Sequence, residues 1–228
     1  MQSITSSSSL RNYQDFVGRT YGPSNRRHFS VDEMLVNIGR FSMRGLKGIR
    51  KGDTKKVSEN LIISLSWCTS LMDQLGVDIE QSVWNRFPNV CSYCGESPCA
   101  CKAKKVQKRL HIKPDETRRP STIGGLQKMF DMIYPSSRRT IEQAGIHLAE
   151  EVGELSEAVL RFRGHHRDAD FDQIVLEASD LFSCYMAVFN SLPLDYHAEL
   201  VKAFSDGCHA CRKSPCECPY DYVLNFKS

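Results

Sequence analysis

Two pairs of acidic residues carry the clearest chemistry in this sequence. Glu151 and Glu154 stand three residues apart, and so do Glu177 and Asp180. On helices, each pair projects from adjacent turns of one flank. Ile141, Ala144, Leu148, Val152, Leu155, Val159 and Phe162 step by three and four and define an apolar stripe. Glu151 falls at the edge of that stripe and Glu154 one step further round, while Glu150 and Glu157 project nearly opposite. A second stripe, Ile174, Ala178, Leu181, Tyr185 and Val188, has Glu177 and Asp180 on the corresponding flank. Like charges gathered beside a core are unfavourable unless a cation joins them. Carboxylate oxygens are hard ligands, so the ion they suit is Mg²⁺ or Mn²⁺. One such pair alone would read as a solvated helix face. Two pairs at equal spacing, on consecutive helices, predict four carboxylates converging on one metal site if the helices pack antiparallel.

Sulfur supplies the second constellation. Eight of the ten cysteines form two groups, Cys91, Cys94, Cys99, Cys101 and Cys208, Cys211, Cys216, Cys218. Both read C-x2-C-x4-C-x-C, with Ser-Pro before the third cysteine. Four thiolates in eleven residues are enough to close a tetrahedral Zn²⁺ shell, and Zn²⁺ is preferred here to an iron–sulfur cluster. A closed shell has no open position, so two structural zinc ions are expected.

The elements that position these groups are helical throughout. A short helix is predicted over 126–133, a long one over 139–163 and a third over 171–191, with a fourth starting near Asp195. No stretch alternates with a period of two, so the class is all-α. The matching cysteine groups also expose a duplication. Tyr21-Gly-Pro-Ser parallels Tyr134-Pro-Ser-Ser, Leu75-Gly-Val-Asp78 parallels Leu192-Pro-Leu-Asp195, and Cys68 falls near the position of Cys184. The chain divides into a flexible tail (1–9), a first helical unit with its knuckle (10–101), a basic linker (102–121), a second such unit (122–220) and a C-terminal tail (221–228). The first unit has lost the acids: Asn37 stands for Glu151, Arg40 for Glu154, and Asn60 with Ile63, or Leu61 with Ser64, for Glu177 with Asp180.

With 30 Lys+Arg against 27 Asp+Glu, a net charge of +3 is too balanced to imply nucleic-acid binding by itself. The N-terminus lacks the basic and apolar runs of a signal peptide, and no apolar run is long enough to span a bilayer. A cytoplasmic protein without membrane association is therefore expected, and there cysteines favour metal over disulfides.

His147-Leu-Ala-Glu150-Glu151-Val-Gly-Glu154-Leu-Ser-Glu-Ala158, followed by Glu177-Ala-Ser-Asp180-Leu, resembles the MazG-type all-α nucleoside triphosphate pyrophosphohydrolases, whose signature is E-E-x-x-E, a gap, then E-x-x-D. The resemblance covers the second unit. It implies Mg²⁺ held by Glu151, Glu154, Glu177 and Asp180, with Glu150 as an auxiliary acid. It also implies cleavage of a (d)NTP between the α- and β-phosphates, giving a monophosphate and pyrophosphate. Glu150 or Glu154 could take the proton of the attacking water. Arg138, Arg139, Arg161, Arg163 and Lys202 are candidates for the phosphates, and His147 for the base. Because family members pair helical units, the resemblance suggests a pseudo-dimer within one chain, with the first unit as scaffold; further homo-oligomerisation is left open. The cysteine knuckles are not part of the usual family unit. The rival reading is a non-catalytic module in which the knuckles and linker cations Lys104, Lys105, Lys108, Arg109, Arg118 and Arg119 hold nucleic acid or a protein. Trp67 and Trp84 are read as core rather than as base-stacking surfaces.

Overall fold

The computed structural model describes residues 3–192 and 194–226; Met1, Gln2, Pro193 in the Leu192–Asp195 parallel, Lys227 and Ser228 lie outside the described residues. The chain forms α1 (Leu10–His28), α2 (Val31–Lys51), α3 (Thr54–Gln74), α4 (Ile79–Arg86), α5 (Cys101–Lys104), α6 (Ile123–Ile133), α7 (Ile141–His165), α8 (Asp168–Ser191), α9 (Tyr196–Phe204) and α10 (Tyr220–Asn225). No strand occurs among the described residues, so the all-α expectation holds.

Local capping explains the helix starts. Ser9 with Asn12, Ser30 with Glu33 and Thr140 with Gln143 form reciprocal capping boxes on α1, α2 and α7. Thr140 is therefore a cap, and the long helix begins at Ile141 rather than at Arg139. The helix α8 starts three residues before the predicted Phe171, with Asp168 and Asp170 in its first turn, where the helix dipole favours acids. Gly52 (φ 66°) and His166 (φ 55°) end α2 and α7 in the left-handed region. Each leaves a two-residue connection, which folds α2 back on α3 and α7 back on α8 as antiparallel hairpins.

The compact units cut across the sequence repeat. One consists of Met1–Ile79 with His197–Ser228, the other of Glu80–Tyr196. Each therefore combines three helices of one copy with the fourth helix and knuckle of the other. In the first unit, α3 is buried on nearly every side, from Val57 to Met72, as expected of a helix apolar or small around its whole circumference. Two of its interior hydroxyls are bonded, Ser64 donating to the Ile38 carbonyl at 2.8 Å and Ser70 accepting from Asn25 at 2.7 Å, while the buried Thr69 hydroxyl has no partner. Phe204 of α9 packs on Tyr13 and Phe16, with ring centroids 5.9 and 5.6 Å away. Trp67 lies edge-on to Phe29 at 5.0 Å.

In the second unit, Trp84 and Phe87 are buried beside α6, with Phe87 edge-on to Phe130 at 5.1 Å. The Trp84 indole N–H donates to Glu116 at 2.8 Å. Both tryptophans are core residues.

The two tails are better anchored than their polar sequences suggest. Ile4 is 3 % exposed, and the Thr5 carbonyl lies 2.5 Å from His197 Nε2, so the described part of the N-terminal stretch is packed. At the other end, Arg40 donates to the carbonyls of Leu224 and Val223 at 2.7 and 2.9 Å, and Arg44 to Phe226 at 2.7 Å. The chain end is thus held against α2.

Close approach of α2 and α3 requires a glycine at Gly45, where a Cβ would stand 2.5 Å from the Leu61 side chain. Leu61 is fully buried and cannot retreat. Gly45→Ala is expected to destabilise the protein by about 1–3 kcal/mol, read as a lower midpoint in denaturant unfolding.

Candidate active site and metal centres

The α7–α8 hairpin brings its acids to one level. Ligand oxygens of Glu151, Glu177 and Asp180 lie within 4.8 Å of one another. Glu151 Oε2 is buried without a hydrogen-bond partner. Burial, and then the neighbouring Asp180, Glu154 and Glu177 charges, push the Glu151 carboxyl up to about 8, against a small opposing pull from Arg86. Glu177 is 9 % exposed and its carboxyl is also raised, by burial first. Gln173, one turn earlier, donates to it. Arg86 closes one side: its Nε donates to Asp180 Oδ1 at 2.9 Å and its Nη2 to Oδ2. Octahedral Mg²⁺ sets ligand oxygens roughly 3–4 Å apart. The spacing, the orphaned Glu151 oxygen and the all-oxygen donor set therefore fit a hard divalent ion.

The remaining expected site residues fall elsewhere. Glu154 is exposed at the rim, near enough to raise its neighbours electrostatically but outside the group of three. Glu150 is on the solvent face and meets His147 at 3.1 Å, so neither reaches the cluster. His147 was expected on the Glu151 flank; its 68 % side-chain exposure and its pairing with Glu150 place it round the helix instead. Arg161 pairs with Glu157 on the exposed face at 2.5 Å, and Arg163 is exposed. Lys202 lies on α9 in the other compact unit, 4.0 Å from Glu199. Arg138 is exposed, whereas half-buried Arg139 donates to Ser191 at 3.2 Å. Arg86 and Gln173 were missed. Gln173 could have been found from its i, i+4 spacing to Glu177; Arg86 could not, because it belongs to the other sequence copy.

Both cysteine groups are assembled as the spacing predicts. Sulfur separations are 3.7 Å (Cys91–Cys101) and 4.0 Å (Cys94–Cys99) in one, and 3.8 Å (Cys208–Cys218) and 3.9 Å (Cys211–Cys216) in the other. A tetrahedron with Zn–S bonds of about 2.3 Å has edges of about 3.8 Å. None of the ten cysteines is in a disulfide. Backbone amides of Tyr93 and Ala100 donate to Cys91 and Cys94 Sγ at 3.4 Å, and that of Ala210 to Cys208 Sγ at 3.4 Å. Burial opposes ionisation of Cys94, yet donors including Ala100 and Glu96 N–H bring its thiol down to about 7. Cys216 donating to Cys208 lowers that thiol to about 4. Burial raises the Cys99, Cys101 and Cys218 thiols and the bond to Cys208 raises Cys216, so one thiol in each group is lowered at the others' expense; four sulfurs at tetrahedral spacing suit zinc. Cys68 and Cys184 are buried and apart from both groups, and burial drives the Cys68 thiol up to about 12.

Each knuckle packs on the other copy's first helix. Cys99 N–H donates to the Ile133 carbonyl at 2.8 Å, and Cys216 N–H to Thr20 at 2.7 Å. The next residue in each helix is the repeated tyrosine: Tyr134 donates to Cys91 Sγ at 3.4 Å, and Tyr21 Oη lies 3.0 Å from His209 Nδ1. The linker cations are partly engaged within the chain. Lys104 pairs with Glu96, and Arg119 binds Gln81 and Glu80 at 2.7 and 3.2 Å.

No family model, curated protein or solved structure matches this chain. No helix among the described residues is long and apolar enough to cross a membrane.

Elemental analysis is expected to find two zinc ions per chain, one lost in Cys94→Ser and one in Cys211→Ser, each with a lower Tm. Iron in place of zinc would overturn the assignment. The raised Glu151 carboxyl makes a second prediction. An acid whose pKa is higher folded than unfolded stabilises the fold when protonated, and that contribution is lost as pH rises from 4.5 to about 8. In Mg²⁺-free buffer without chelator, Glu151→Gln should raise Tm by a few degrees at the alkaline end of that range and by little at the acidic end.

Proposed function

We propose that the protein is a Mg²⁺-dependent nucleotide pyrophosphohydrolase, cleaving a (d)NTP to the monophosphate and pyrophosphate. The observation that carries this reading is the convergence of Glu151, Glu177 and Asp180, with one buried Glu151 oxygen left without a partner. The MazG-like wording of the same segment supplies the reaction class. On this reading the Glu80–Tyr196 unit is catalytic, and the first copy, with Asn37 and Arg40 at two of the acid positions, contributes scaffold to a tandem pair of MazG-like units.

Glu151, Glu177 and Asp180 are the residues that would hold the ion. Bound Mg²⁺ neutralises phosphate oxygens and lowers the pKa of an attacking water. The protein does the rest. Its clustered acids repel a free triphosphate, so substrate and metal are taken together. Gln173 holds the Glu177 carboxylate in a single orientation. Glu154, exposed and beside the cluster, is placed to accept the proton released when water oxygen attacks the α-phosphorus and the bond to the β-phosphate breaks. Glu150 faces solvent and has no such access. The nucleic-acid alternative is weakened by the internal pairing of Lys104 and Arg119.

A panel of (d)NTPs with Mg²⁺ tests the reading. Pyrophosphate release is expected to fall about a hundredfold or more in Glu151→Gln and in Asp180→Asn, with both knuckle zincs retained. No release from any nucleotide, or undiminished release in both variants, would sink it.

A further inference from the structure

Resting on the reading of this cluster as a metal site, we propose that Arg86 positions Asp180 and serves as the cluster's built-in counter-cation, which an incoming divalent ion must displace. The two-pronged contact fixes the Asp180 carboxylate with both of its oxygens engaged, the geometry that makes arginine more than a point charge. The pair is largely out of water, with side-chain exposures of 9 % for Arg86 and 15 % for Asp180. Trp84 and Phe87, close to Arg86 in sequence, are buried core residues of the same unit. It does not complete the site, since Glu151 Oε2 still lacks a partner. One guanidinium among four acids therefore lets the chain fold without metal while leaving room for an ion of higher charge.

The other copy provides an internal comparison. Arg86 stands five residues before Cys91, and Ala203 stands five residues before Cys208. The counterpart of Asp180 is Ile63 in one register of the repeat and Ser64 in the other. Ala203 and Ile63 line the same hollow in the other unit, which has a volume of about 270 Å³. Ala203 is not a cation and neither Ile63 nor Ser64 is an acid, so the Arg86–Asp180 pair has no counterpart at those positions. An arginine kept only to pack α4 has no reason to follow the acid in this way.

Displacement has a measurable signature: removing Arg86 should strengthen metal binding rather than weaken it. Calorimetric titration of Mn²⁺ into the zinc-loaded full chain, without nucleotide, reads this directly. Arg86→Met is expected to bind Mn²⁺ roughly tenfold more tightly than the natural chain, as the loss of one nearby positive charge implies. Arg86→Lys, which keeps the charge and loses the fork, should fall between them and covers the case in which the Met variant does not fold. Equal or weaker Mn²⁺ binding in the folded variants overturns the proposal; if the natural chain still releases pyrophosphate, the hydrolase reading survives. Mn²⁺ binding that appears only when Arg86 is replaced supports the counter-cation and removes the hydrolase reading. Binding by none of the proteins removes both.

Discussion

In each compact unit, a backbone amide of a four-cysteine knuckle donates to a helix carbonyl belonging to the other sequence copy, Cys99 to Ile133 and Cys216 to Thr20. Eleven residues with so few apolar side chains have little core of their own, so a metal held by the four thiols would fix their shape. The fourth helix of each copy leads directly into its knuckle and goes with it. The four-cysteine group is thus continuous with α4, α4 carries Arg86, and Arg86 pairs with Asp180. Two ligand clusters of opposite character, soft sulfur and hard oxygen, are joined through one short helix.

The acid cluster and the knuckles were legible in the sequence because their determinants are local. Spacing of three on an amphipathic helix places Glu151 beside Glu154, and the two-residue connection His166-Arg167 brings Glu177 and Asp180 to the same level. The repeated cysteine pattern encodes its own four-sulfur geometry. Long-range relations were not legible. The repeat suggested that each copy folds on its own helices, yet α4 and α9 are exchanged, and no periodicity in a single segment reports an exchange. Arg86 was hidden for that reason, and Lys202 was grouped with the wrong acids. His147 failed differently, by its angle around the helix: it turns to solvent beside Glu150, which the apolar stripe already directs away from the core.

The two copies show how one scaffold carries opposite electrostatics. Where Glu154 sits at the rim of an acid cluster, Arg40 grips the carbonyls of Val223 and Leu224. The end of a helix presents partial negative charge through such carbonyls, so the cation answers the same kind of need from the other side. Asn37, in the Glu151 position, is buried and donates to the Glu33 carbonyl at 2.9 Å. The first copy has become a holder of its own chain end.

The exchange also changes what counts as a separable piece of this protein. Division at the linker, between the two repeats, would leave both compact units incomplete, since each draws on residues from either side of it. A piece beginning at 122 would carry all four acids but neither Arg86 nor the knuckle that packs on α6. The compact unit uniting acids, arginine and one four-cysteine group is 80–196, which begins inside one repeat and ends inside the other. In this chain the unit of duplication and the unit of packing are out of phase by one helix and one knuckle.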